Sequence, residues 1–421
     1  MMNPLFLKNI RVDDTPSDIL VSDGLIRRIR PVGTMVPPPE AEVFDCGGKT
    51  AVPGFVNAHT HAGMALMRGI KEDVAFEEWL ADIWKIEREL DEDFIYQSTR
   101  VAALEMIKTG TTTFIDQYFF YPEAARGARE LGIRPAVGFV LLDLGGPIAT
   151  ERQQEDCQRQ FEEMKARNDG SVQIVNVHAV YSVSEPMILW ATEFARKNDL
   201  KVHIHLSETA GEVRDCKAAH GGLSPVEYLD RLGVLDDRVI AAHCMWLSDK
   251  DIRILGERKV NVVHNINSNL KLASGHRFRY DELRDAGANI CIGTDGCASS
   301  NNLDMLEAMK TAALLQKGWR DDPKALPLHE LIDCATINGA KALGIDAGRI
   351  AEGALADILI VDTDNTFFLS PGSFLANFIY SAHSDCIDSV VAGGRLVMRN
   401  RAVPGEKEIL AAARKLLRKI S

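Results

Sequence analysis

Two histidines stand one residue apart at His59-Thr60-His61, and further along come His178, His205 with Glu208 three residues later, His243 and Asp295. Imidazole nitrogens and a carboxylate oxygen are the donor types that hold zinc or iron, and such a set with one exchangeable water makes an open, catalytic kind of site. Side chains alternate along an extended segment, so His59 and His61 share a face and can share an ion. Alone, the pair reads equally well as exposed or hydrogen-bonded loop histidines. Asp295, in Gly293-Thr294-Asp295-Gly296, ends a very apolar run where an isolated carboxylate is costly unless it meets a cation or a partner. Its competing reading is a cap on the following helix. With His205 as the third imidazole, the expected ligands are His59, His61, His205 and Asp295 around one divalent ion, zinc first and iron second. Water on such an ion loses a proton near neutral pH, so a hydroxide nucleophile comes with the ligand set.

Glu208 falls beyond the strand end that carries His205, where a carboxyl meets substrate rather than metal, a spacing suited to a proton shuttle. His243 has no evident ligand duty and is read as orienting the attacking hydroxide or polarising substrate, with a fourth ligand as the alternative. His178 ends a strand distant from the His59 pair, so a substrate contact is favoured over metal binding. No lysine ends that strand, and binuclear sites in barrels of this kind need a carboxylated one there, so a single ion is expected. His203 shares a face with His205 one layer deeper and reads as a satisfied interior residue. His220, His264, His276, His329 and His383 are taken as structural, with His264 placed to support the site from behind.

Something must bring these residues together. Apolar runs of strand length alternate with longer segments of helical period, the mark of repeated β-α units. Eight runs read as strands: 51–58, 111–116, 135–142, 172–180, 201–206, 239–243, 260–264 and 289–293. Their near-continuous hydrophobicity suits strands buried on both faces, as in a closed (β/α)8 barrel of the TIM type. The polar residues above sit at the C-terminal ends of these runs, the face on which such barrels carry their active sites. Between the strands, Val101, Leu104 and Ile107 mark a helix over 98–108 that stops at Gly110. Short strands and turns recur at both chain ends, around Ile19-Leu20-Val21 and again over 354–361 and 389–394. The expected division is a β-sandwich formed from 1–52 and 348–421, the latter with a terminal helix, flanking a barrel over 53–347.

The 421 residues suit a barrel plus a smaller companion. With 60 acidic against 48 basic residues the chain carries a formal charge of −12, which repels phosphate backbones and anionic lipid, so neither nucleic acid nor membrane is an expected partner. Met1 to Ile10 lacks a long apolar core behind a basic start, no later run spans a bilayer, and the protein reads as cytoplasmic. Eight cysteines without a Cys-x-x-Cys pair argue against zinc ribbons and a disulfide framework.

Taken together, Pro53-Gly54-Phe55-Val56-Asn57-Ala58-His59-Thr60-His61, His205-x-x-Glu208, His243-Cys244 and Gly293-Thr294-Asp295-Gly296 resemble the amidohydrolase superfamily over nearly the whole chain. Phe76-Glu77-Glu78-Trp79-Leu80, Ser268-Asn269-Leu270-Lys271-Leu272 and the stretch 295–302 look like the branch that deaminates methylthioadenosine and S-adenosylhomocysteine, with its aminohydrolase neighbours. The resemblance implies a mononuclear deaminase in which metal-bound hydroxide attacks an amino-bearing ring carbon. Glu208 donates a proton to the adjacent ring nitrogen, Asp295 relays protons to departing ammonia, and His243 holds the hydroxide. By the same carry-over His178 contacts the purine, Trp79 forms an apolar wall, Glu87 accepts ribose hydroxyls and Ser299 contacts the substrate tail.

One departure bears on the substrate. Members that accept the homocysteine tail place an arginine just after the third strand, where this chain reads Gly138-Phe139-Val140, and Arg152 is the nearby candidate to replace it. Adenosine, methylthioadenosine or 5'-deoxyadenosine are therefore preferred over S-adenosylhomocysteine. The run Tyr118-Phe119-Phe120-Tyr121 either lines an apolar tail pocket or packs over the rim. A second reading keeps the metal but changes the ring to cytosine, guanine, a pterin or a triazine; a non-catalytic scaffold is opposed by the intact ligand positions. The expected partner is a small heterocycle, with association of copies left open.

Overall fold

The computed structural model describes residues 3–144 and 149–417, so the outermost positions of both terminal segments lie outside the described residues. Eight parallel strands follow one another around a barrel: Phe55–Thr60, Thr111–Asp116, Arg134–Val137, Val172–Ala179, Lys201–Leu206, Val239–His243, Asn261–His264 and Asn289–Ile292. All neighbouring pairs run parallel. The third strand breaks at Gly138-Phe139 and resumes as Val140–Leu141 against the fourth. Gly138 allows this, because a Cβ there would stand 1.8 Å from the Ile174 carbonyl oxygen.

The seam between the first and last strands is stitched at the rim. Asp295 N–H donates to the His59 carbonyl at 2.9 Å, Thr294 N–H donates to Asn57 Oδ1 at 3.0 Å, and Asn57 Nδ2 donates to Thr294 Oγ1 at 2.7 Å. Val56, Ile115, Ala136, Ile174, Ile240, Val263 and Cys291, one from each of seven barrel strands, pack in one cluster. Alternate residues such as Val175, Val202, Ala241 and Val262 join the larger core formed with the surrounding helices. This is how period-two strands buried on both faces behave.

Strands from both chain ends join one further sheet of eight, in which Thr50–Pro53 lies between Leu5–Val12 and Ile358–Val361. The apolar run 51–58, read from sequence as one strand, is thus divided between two sheets, with the chain crossing at Gly54, where a Cβ would stand 2.3 Å from Thr112 Oγ1. Helix Glu92–Lys108 starts six residues before the expected 98, because the Asp91 carboxylate caps it by accepting Phe94 N–H at 2.9 Å. Helix Phe76–Glu87 rises beyond the first strand and turns Trp79 and Ile83 inward. Among the described residues no helix is long and apolar enough to cross a membrane.

Candidate metal and active site

At the C-terminal rim the residues singled out by type converge. Asp295 Oδ1 stands 3.4 Å from His59 Nε2 and 3.3 Å from His61 Nε2, and His205 Nε2 is 3.3 Å from His61 Nε2. Donor atoms of His59, His61 and Asp295, and of His59, His205 and His243, each lie within 4.8 Å of one another. The glycines flanking Asp295 make this approach possible. A Cβ at Gly293 would sit 2.9 Å from the His59 backbone nitrogen, and one at Gly296 would sit 2.9 Å from the His61 Cβ. Asp295 itself is left-handed at φ 66°, as are Ser207 at 51° and His243 at 74°, so the strand ends are held in costly conformations where they meet the site.

The ring nitrogens facing away from the cluster fix the protons on those facing it. His61 Nδ1 lies 2.6 Å from the Gln117 carbonyl and His205 Nδ1 lies 2.8 Å from the His178 carbonyl, and a carbonyl can only accept, so each Nδ1 carries the hydrogen. Each Nε2 is thereby free to present a lone pair, and the two face each other at 3.3 Å. His59 Nε2 is buried without a hydrogen-bond partner. Lone pairs crowded together beside a carboxylate are repulsive among themselves and favourable around a cation. Burial holds His59 and His205 below the usual imidazole range and hence neutral. Burial pushes Asp295 up, but the closeness of His59 above all, with His61 and His243, holds it well below the ordinary carboxylate range. Neutral imidazoles and one anionic oxygen are a donor set that fits a divalent ion.

His243 differs. Its Nδ1 faces Asn269 Nδ2 at 3.0 Å and Asn265 Nδ2 at 3.4 Å, both donors, so Nδ1 accepts and Nε2 bears the hydrogen. That Nε2 points at Glu208 Oε2, 3.7 Å away, and Asp295 Oδ2, 3.9 Å away. A protonated nitrogen donates rather than ligates, which supports an orienting role over that of a fourth ligand. Glu208 is buried, and that burial, with Asp295 and Glu212 nearby, raises its carboxyl well above the ordinary range into the proton-donating form.

The cluster opens into a recess of about 700 Å³, measured out to its mouth, a size that takes a small molecule. Trp79, Glu87, His178, Glu208, His243 and Asp295 all line it. His178 Nδ1 is engaged by Ser182 Oγ at 2.7 Å, and burial lowers the ring to about 3, so it meets a ligand as a neutral imidazole. Burial raises Glu87 to about 7, against the opposing pull of a hydrogen bond with Tyr118 and of His61. Ser299 is not brought to this wall; its buried hydroxyl donates to the Gly296 carbonyl at 3.0 Å. Of the aromatic run, Tyr118 and Phe119 line the recess, Phe120 points to solvent and Tyr121 starts a helix. Arg152 lies outside the lining, exposed and paired with Asp156 at 3.0 Å.

Several contributors went unread in the sequence. Trp84 and Tyr181 flank His178, with ring centroids at 6.2 and 5.8 Å. His203, expected to be merely interior, puts Nε2 3.0 Å from His59 Nδ1. Asn269 lies in a segment that caught attention for its resemblance alone, and nothing in its spacing signals a histidine partner 26 residues upstream.

Known proteins resemble the chain over most of its length. The model of the Amidohydrolase family matches residues 50–397. A 5'-deoxyadenosine deaminase of Methanoregula boonei is 43% identical over 377 residues, covering 89% of this chain and 85% of its own. A 5-methylthioadenosine/S-adenosylhomocysteine deaminase of Archaeoglobus fulgidus is 42% identical, covering 87% of each chain. Among solved structures, a zinc-bound adenosine deaminase from Xanthomonas campestris superposes with a TM-score of 0.92 at 31% identity, over 99% of this chain and 98% of that one.

Proposed function

The chain belongs to the amidohydrolase family, and from that premise we propose that it is a metal-dependent deaminase of an aminopurine nucleoside, releasing ammonia by hydrolysis. The observation that carries the reading is the meeting of His59, His61 and His205 ring nitrogens with anionic Asp295, in a recess that a protonated Glu208 also lines.

His59, His61, His205 and Asp295 are the residues that would hold the ion, zinc in first place and iron in second. When bound there, a divalent ion acidifies water to near neutrality and so supplies a nucleophile. The protein's own groups do the rest. Glu208 gives its proton to the ring nitrogen next to the amino-bearing carbon, which makes that carbon electrophilic. His243 Nε2–H orients the incoming oxygen, and Asp295 accepts a proton and passes it to the amine. Water adds at the ring carbon, the exocyclic C–N bond breaks, and a ring carbonyl and ammonia remain.

His178 supports recognition of the purine, Glu87 that of the ribose hydroxyls, and Trp79 forms an apolar wall. Apart from the polar cluster the lining includes Phe76, Leu80, Ile83, Phe119, Val140 and Leu142, with no lysine or arginine among the described lining residues. That lining favours a methyl or methylthio group at the 5' carbon and disfavours the charged tail of S-adenosylhomocysteine. The test is ammonia release from a panel of adenosine, methylthioadenosine, 5'-deoxyadenosine, S-adenosylhomocysteine, guanine, cytosine and pterins, with metal counted per chain. Release from the adenosine compounds by protein carrying one ion is expected; turnover confined to other rings would reject the substrate class.

A further inference from the structure

Glu212 sits in the first turn of helix Ala210–Ala219, buried and away from the cavity wall. Its carboxylate is spent on the backbone that presents Glu208. One oxygen accepts the Ser207 N–H at 2.8 Å and the other accepts the Glu208 N–H at 2.7 Å. Ser207 is left-handed at φ 51°, a conformation that a residue with a side chain keeps only when its surroundings impose it. The Ser207 carbonyl is gripped from the other side, accepting from Met245 N–H and Trp246 N–H at 3.0 Å each. Glu212 is fixed in turn by the helix cap, its own N–H donating to Thr209 Oγ1 at 3.0 Å.

The Ser207 turn is the step at which the chain leaves the strand bearing His205 and sends Glu208 into the recess. A third buried carboxyl near Glu208, which already has Asp295 close by, is electrostatically unfavourable, so mere filling does not account for it. What a carboxylate offers, and an amide does not, is two equivalent acceptor oxygens for two successive N–H groups.

We infer that Glu212 is a positioning residue for proton transfer by Glu208: by clamping the left-handed turn at Ser207 it aims the Glu208 carboxyl at the substrate ring. The inference rests on Glu208 being the proton donor of the reaction proposed above.

Two variants test it. Glu212→Gln turns one acceptor into a donor facing an N–H, and Glu212→Asp keeps both oxygens but shortens their reach. The readouts are kcat and KM for 5'-deoxyadenosine, with metal content and melting temperature measured alongside. In both variants kcat is expected to fall by about ten- to a hundredfold, as small misplacement of a catalytic group does, with KM within about threefold and the ion retained. Added to Glu208→Gln, followed by slow ammonia accumulation, either change should cost less than about twofold more. Unchanged kcat in a folded variant overturns the inference. So does an equal loss with and without Glu208, the sign of general structural damage. Full activity of Glu208→Gln removes the underlying reading, whereas an inactive Glu208→Gln beside fully active Glu212 variants removes only the positioning role.

Discussion

His59 Nδ1 lies 3.0 Å from His203 Nε2, both rings fully buried, while His59 Nε2 has no hydrogen-bond partner among the described residues. For Nε2 to offer a lone pair, Nδ1 must carry the hydrogen and donate it to His203. His203 thereby selects the tautomer of its neighbour, as groups behind metal-binding histidines commonly do. His203→Leu removes the acceptor with little change of volume. Metal affinity, measured against a competing chelator, is predicted to drop by about ten- to a hundredfold with the fold retained.

His243 is predicted to act without binding the ion, because Asn269 donates to its Nδ1 and leaves the hydrogen on Nε2. His243→Asn should keep one ion per chain by elemental analysis while kcat falls by about a hundredfold or more. Loss of the ion together with activity would make His243 a ligand.

A carboxylate entering the recess has no lysine or arginine to meet among the described lining residues, which include Val140 and Leu142. The kcat/KM for 5'-deoxyadenosine is predicted to exceed that for S-adenosylhomocysteine by at least about tenfold, the worth of one charge-assisted hydrogen bond. Leu142→Arg should narrow the ratio. Equal efficiencies in the native protein would count against an apolar tail as the preferred ligand.

Glu87, raised to about 7 chiefly by burial, offers two strong acceptor oxygens to a pair of ribose hydroxyls only when ionised. Because the carboxylate form dominates above that value and the acid form below it, KM for nucleosides should rise as pH falls, by about tenfold from roughly pH 8 to roughly pH 6. Glu87→Gln should flatten the dependence, and adenine, which lacks the ribose, should not show it. An unaltered profile in Glu87→Gln would assign the titration elsewhere.

Much of the fold was legible because fully buried strands leave continuous apolar runs, most of them with a polar residue where the strand reaches the rim. Thr111–Asp116, Lys201–Leu206 and Val239–His243 match the sequence reading at both ends. The division at Gly54 was not legible, since an apolar run records burial and not the sheet that provides it. Nor was the break after Val137, which depends on Gly138 lying against the Ile174 carbonyl.

In the site, residues that offer a lone pair or a proton announce themselves by type and position. Those that only orient them do not: His203, Asn269 and Gln117 work through hydrogen bonds to residues distant in sequence. Thr209-x-x-Glu212 is a recognisable helix start, yet the pattern is silent on Glu212 reaching back to Ser207 and Glu208. Ser299 shows the converse, a hydroxyl in a suggestive segment whose hydrogen bond goes to its own helix turn.

The central claim is that a protonated Glu208 beside a metal-holding cluster drives loss of ammonia from an aminopurine nucleoside. Its most direct test is ammonia release from 5'-deoxyadenosine by the metal-loaded protein and by Glu208→Gln at equal metal content. The account predicts steady release from the former and a loss of about a thousandfold or more in the latter, with the ion still bound. Comparable release from both proteins, or none from the fully loaded native chain, would contradict it.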